Sequence, residues 1–210
     1  MKLKVIVGLV FLLLIVGCSN VVENEITEDL TNSEINKEFY VEVPMEEVAE
    51  DSMGEIMITE SGVKYLVHPS KILSGGPPMD GIPSLDNPKY VSLEEADEWI
   101  EDNELVLAII HKGVKRVYPL QILVWHEIVN DNIAGDPILI TYCPLCGSGI
   151  AFEGEIDLNG ERKEVEFGTS GKLYNSNLVM YDRETQSYWT QIDGKAIVGQ
   201  LTGQELVEVS

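Results

Sequence analysis

Cysteine is scarce in this chain of 210 residues, which holds only Cys18, Cys143 and Cys146. So few thiols exclude a framework of several disulfides. Positive charge is scarce as well: 14 Lys and Arg stand against 36 Asp and Glu, a formal charge of -22 at pH 7. With no basic patch to meet a phosphate backbone, nucleic acid drops out as a partner. No apolar run reaches the roughly 20 residues that a membrane-spanning helix needs. There is no G-x-S-x-G elbow, no H-E-x-x-H pair and no P-loop, so the usual hydrolase and nucleotide-binding templates find no footing. Nor is there an internal repeat.

What is present begins at the N-terminus. MKLKVIVGLVFLLLIVGCSN places Lys2 and Lys4 ahead of an apolar run from Val5 to Val16, the pattern of a signal peptide. The run ends in Ile15-Val16-Gly17-Cys18, which resembles a bacterial lipobox, so residues 1–17 are expected to be removed and Cys18 to carry lipid. The remainder is then held on the extracytoplasmic face of a membrane in the cell envelope. Cys143 and Cys146 are left as the only thiols.

Residues 18–60 hold 13 acids against Lys37 alone. Residues 18–55 show no sustained helix or strand period and read as a flexible, self-repelling tether. Residues 56–210 suffice for one core and are expected to form a single domain. Within it, residues 72–90 carry four prolines and three glycines, a turn-rich ordered loop. Ser92 and Glu95 fit a capping box that opens a short helix running through Trp99 and Ile100. Residues 104–120 read as two strands about Lys112-Gly113.

YPLQILVWHEIVNDNIAG, with Pro119 at its start and Gly135 past its end, reads as a helix over about 119–131, apolar nearly all round and carrying His126 toward the core. From Pro137 onward the pattern is strand-like, ending in a hairpin with its tip near residues 183–186, where Arg183 is expected to pair with Asp182 or Glu184. The fold class this predicts is α+β, a mainly antiparallel sheet with the buried helix packed on it.

TYCPLCGSG, residues 141–149, brings two sulfurs close if the turn is tight, and Pro144 and Gly147 favour that. Three readings stay open. A soft metal, copper or zinc, would need further ligands, with His126 the best candidate and Met180 a weaker one. A thiol-disulfide pair is permitted, although no helix follows Cys146 to lower its pKa in the thioredoxin manner. A purely structural disulfide would close too small a loop to stabilise much, and it would leave a non-catalytic ligand-binding or assembly lipoprotein. A nucleophile-base pair of either cysteine with His126 is disfavoured, because neighbouring thiols outside the cell oxidise together. Downstream, Ser170, Tyr174, Asn175, Ser176 and Asn177 form a polar row, with Asn175 and Asn177 on one strand face if the strand is regular. Beside the CPLC turn, Tyr142, Tyr174, Asn175, Asn177 and Met180 could orient ligands or line a small pocket.

The runs IPSLDNPKYVSLEEA, YPLQILVWHEIVNDNIAGDPILITYCPLCGSGIAF and FGTSGKLYNSNLVMYDRETQSYWTQIDGKAIVG resemble the bacterial and archaeal domain of unknown function numbered thirty-one seventy-nine, over about residues 80–205. The resemblance implies that the WHEIVND, YCPLCGS and LYNSNLVMYDR blocks converge on one site, and it implies no particular reaction. Similar proteins carry a further Trp-containing segment past the equivalent of LTGQELVEVS, so by the resemblance this chain, ending at Ser210, is expected to be a truncated copy. Soft-metal binding through Cys143, Cys146 and His126 is thus the leading expectation. The protein partner and the substrate are not legible in the sequence.

Overall fold

Four two-residue turns frame the fold in the computed structural model, which describes residues 54–209. Lys112-Gly113, Ala134-Gly135, Asn159-Gly160 and Asn175-Ser176 each hold both residues at positive φ, the backbone that joins two twisted antiparallel strands tightly. They close four hairpins. These pair β5 (Val106–His111) with β6 (Val114–Pro119), β7 (Ile128–Ile133) with β8 (Asp136–Cys143), β10 (Glu155–Leu158) with β11 (Glu161–Glu164), and β12 (Phe167–Tyr174) with β13 (Asn177–Asp182). Shorter strands complete the set: β1 (Met57–Ile58), β2 (Lys64–Tyr65), β3 (Leu73–Ser74), β4 (Leu85–Asp86), β9 (Ser148–Glu153), β14 (Tyr188–Thr190) and β15 (Ala196–Val198). The helices are α1 (Leu93–Ala96) and α2 (Leu120–His126), with a 3₁₀ turn at Pro69–Lys71.

The expected α+β class is not what forms. The fold is mostly β, 46% strand and 9% helical, and α2 is its one helix of seven residues or more among those described. The helix expected over 119–131 stops at His126, where Glu127 takes φ 59° and donates the last intrahelical bond to Leu123. Beyond it, Ile128-Val129-Asn130-Asp131-Asn132-Ile133 has the β-branched content and two-residue alternation of a strand, and it becomes β7. Nor is α2 buried all round: only Leu123 is fully buried, and Trp125 is 74% exposed.

A seven-stranded sheet runs β1-β2-β15-β14-β13-β12-β3, and a four-stranded one runs β4-β7-β8-β9 with β4 parallel to β7. The principal core brings together Ile128, Leu139 and Cys143 of the smaller sheet with Phe167, Met180 and Trp189 of the larger one. On the opposite face of β7 and β8, Val129, Ile138 and Ile140 pack with Ile109, Tyr118 and Leu123. Residues 138–140 are therefore covered on both faces, which explains their unbroken apolar run. Residues 207 and 209 hydrogen-bond along β9 through Glu153 N–H to Val207 O and Val209 N–H to Ala151 O.

The Pro- and Gly-rich loop lies against a bulge in β12 between Thr169 and Lys172. Asp80 N–H donates to Thr169 O (2.9 Å), and Thr169 Oγ1 donates to Ile82 O (2.7 Å). Arg183 clamps the same loop, donating to Asp86, Glu166 and Ser84 rather than to Asp182 or Glu184. The capping box at Ser92 and Glu95 forms, on a helix that ends at Ala96.

Candidate functional site

Cys143 ends β8 and Ser148 begins β9 opposite it, so the CPLC segment is a hairpin turn between paired strands. Gly147 makes the turn possible at φ 63°, and its N–H donates to Cys143 O (2.9 Å). The strand places Cys143 inward, 1% exposed, while the turn leaves Cys146 exposed. Both are free thiols, and the Cys146 thiol donates to Cys143 O across the turn (3.9 Å).

The two sulfurs titrate in opposite directions. Burial pushes the Cys143 thiol above its ordinary range, and the bond with Cys146 adds to that. Burial also works against the Cys146 thiolate, but bonds from Ser148, Cys143 and Asn177 outweigh it and hold that thiol below its ordinary range. Ser148 Oγ lies 3.0 Å from Cys146 Sγ, and Asn177 Nδ2 donates to it at 3.2 Å. Backbone N–H groups assist: those of Cys146 and Leu178 reach the Cys143 sulfur, and that of Ser148 reaches the Cys146 sulfur.

Behind this stands Gln191, fully buried just after β14. Its Oε1 accepts from Asn177 Nδ2 (2.8 Å) and, when the single Ser148 proton is not turned to Cys146, from Ser148 Oγ (2.9 Å), and its Nε2 donates to Thr141 Oγ1 (3.1 Å) and Ser148 O (3.4 Å). Asn177 Oδ1 in turn accepts from Ile192 N–H (3.1 Å). Every polar atom of both amides has a partner, so the groups around Cys146 are fixed before any ligand arrives. All of them fall within residues 79–210, which match a family described as a protein of unknown function, DUF3179. The chain belongs to the DUF3179 family. No curated protein and no solved structure matches it.

In this DUF3179 domain the expected site residues separate. Asn177 stands beside Cys146, whereas Asn175 is exposed in the turn at φ 49° and shares no strand face with it. Met180 is buried in the cluster that holds Cys143. Tyr142 packs on the opposite face of β8, and Tyr174 packs beside Val179 and Ile197. His126 donates from Nδ1 to Pro83 O (2.8 Å). Among the described residues no group of three or more His, Cys, Asp or Glu side chains is gathered to hold a metal ion, so the set Cys143, Cys146 and His126 is not assembled. Cys18, the signal peptide and the tether up to residue 53 lie outside the described residues.

Sequence reasoning missed Thr141, Ser148 and Gln191. Thr141 and Cys143 are two apart on one strand and so share a face, a signal that was readable. Gln191 is remote in sequence and carries no local signal. The DUF3179 domain also holds Glu127, directly after His126, in a left-handed conformation unusual for its type, with burial pushing its carboxyl up to about 7.

Proposed function

We propose that the DUF3179 domain is a thiol-disulfide protein of the cell envelope, with Cys146 as attacking thiol and Cys143 as resolving thiol. One observation carries this: an exposed thiol, Cys146, with Ser148 Oγ and Asn177 Nδ2 on its sulfur, shares a tight turn with a buried thiol, Cys143. That asymmetry suits a two-step exchange. The Cys146 thiolate attacks a substrate disulfide, forms a mixed disulfide and releases one substrate thiolate. Cys143 then gives up its proton and attacks the Cys146 sulfur. The second substrate thiol leaves, and the Cys143–Cys146 disulfide remains. The substrate gains two electrons and the protein loses two. Here a strand-borne turn with side-chain and backbone donors does what a helix N-terminus does elsewhere.

The sequence assigns the compartment in this reading: a signal peptide and lipid on Cys18 would hold the pair outside the cytoplasm, where disulfides persist. A second reading, a thiophilic metal such as copper(I) or zinc held on the two sulfurs, is favoured by the backbone N–H groups at both, which stabilise paired thiolates. His126 is no part of that set.

The test equilibrates the purified chain with dithiothreitol redox buffers and follows the Cys143–Cys146 disulfide by mass. A reversible two-electron transition, with a Cys143→Ser variant trapping substrate on Cys146, is the expected result. A pair that stays reduced under every buffer while binding one metal per chain would replace the redox reading by the metal one.

A further inference from the structure

We infer that the outer face of the β5–β6 hairpin is a docking surface for an anionic lipid bilayer. The strand register puts Val106, Ala108 and Ile110 of β5 opposite Pro119, Val117 and Lys115 of β6, all on one face. The other face, with Ile109 and Tyr118, packs on the core. The outer face is thus apolar except for Lys115, yet nothing among the described residues covers it: Ile110 is 62% exposed and Val117 45%. Beside β6 lies α2, which presents Val124 and Trp125 to solvent.

Charge selects the occupant. Residues 105–126 contain no Asp or Glu and include Lys112, Lys115 and Arg116, in a chain whose acids outnumber its bases 36 to 14. Arg116 turns inward over the Tyr90 ring at 4.3 Å, and Lys112 pairs with Asp136, so Lys115 is the basic group standing in the apolar face. Glu101, Asp102 and Glu104 precede the hairpin and close its base. An anionic surface is therefore met at Lys115 on the outer face and kept away from the acidic base of the hairpin. Aliphatic side chains flanked by lysine and an exposed indole match the apolar-to-polar gradient of a lipid headgroup layer. No helix among the described residues is long and apolar enough to cross a membrane, so this contact is peripheral. The inference stands apart from the chemistry of the thiols and does not require lipid on Cys18.

The test uses the full chain reconstituted in vesicles whose lipids carry bromine at shallow acyl positions. Ile110→Trp in a Trp125→Phe background reports the depth of the face, and Trp125→Phe alone supplies the baseline from Trp99 and Trp189. We expect quenching well above baseline in phosphatidylglycerol vesicles, little in phosphatidylcholine, and a return toward baseline when Lys115→Glu is added. No increment in anionic vesicles, or an equal one in neutral vesicles, overturns the proposal. So does a vesicle-free dimer that dissociates on Ile110→Glu, which would make a second copy the occupant.

Discussion

Asn177 divides its amide between a sulfur and a neighbouring amide, and that division can be tested at one residue. One N–H points at Cys146 Sγ, the other at Gln191 Oε1, while Oδ1 holds the Ile192 backbone. Asn177→Leu keeps the volume but removes the donor, so the Cys146 thiol should titrate higher and its alkylation by iodoacetamide at pH 7 should slow by up to about tenfold. An unchanged pH-rate profile would show that Ser148 and the backbone suffice. Glu127 offers a pH test of its own. Burial lifts its folded-state pKa from 4.5 to about 7, so the fold binds that proton more tightly than the unfolded chain does. Its contribution to stability is therefore complete below about pH 4.5 and is lost as pH rises through 7. Glu127→Gln should match wild type near pH 4.5 and exceed it at pH 8.5, by on the order of 1 kcal/mol once screening of this partly exposed group is allowed for. Melting curves of the two proteins that stay parallel across that range would sink the assignment.

At the scale of elements, the turn-rich loop and the β12 bulge depend on each other. Gly171 sits at φ 68°, and a Cβ there would lie 2.1 Å from Pro77 O, a backbone atom with no rotamer to escape into. Gly171→Ala should cost roughly 2 kcal/mol or more and loosen residues 77–83. Hydrogen exchange at Asp80, whose N–H bonds Thr169, is the local readout; unchanged protection would mean the loop is held by Arg183 alone. That dependence also shows what the sequence could and could not disclose. The Lys112-Gly113 hairpin, the capping box at Ser92 and the strands from 137 onward were legible, because each is encoded within a few residues. The segment after His126 was not, because Leu120 to Ile133 is apolar enough to satisfy a helical period. Only the β-branched Ile128-Val129 and the alternating Asn130 and Asn132 marked the change to a strand. Asn175 and Asn177 would share a face only in a regular strand, and the Asn175-Ser176 turn at the hairpin tip breaks that regularity. At the site, the cysteines and Asn177 could be proposed from the chain, but Gln191 enters only because β14 lies beside β13.

For the whole molecule, two electrostatic effects oppose each other, and their balance can be measured. Residues 61–210 carry 23 acids against 11 bases, so the folded unit repels itself. Against this stand ion pairs such as Arg162 with Glu153 and Glu155, Lys163 with Glu184, and Lys195 with Glu205. These sit at the surface, where each contributes about 0–1 kcal/mol and loses part of that to screening. Arg183 binds Asp86 and Glu166 in a less exposed position and is screened less. The Debye length shrinks from about 30 Å at 0.01 M salt to about 8 Å at 0.15 M, long enough at the low end to couple most of the unpaired acids and short enough at the high end to separate them. Repulsion among many distant acids therefore fades over this range faster than attraction across contacts under 3 Å. The melting temperature should rise between 0.01 and 0.15 M sodium chloride and then level off. A fall over that interval would mean that the ion pairs outweigh the acidic excess, and would move the source of stability from relief of repulsion to the surface pairs themselves.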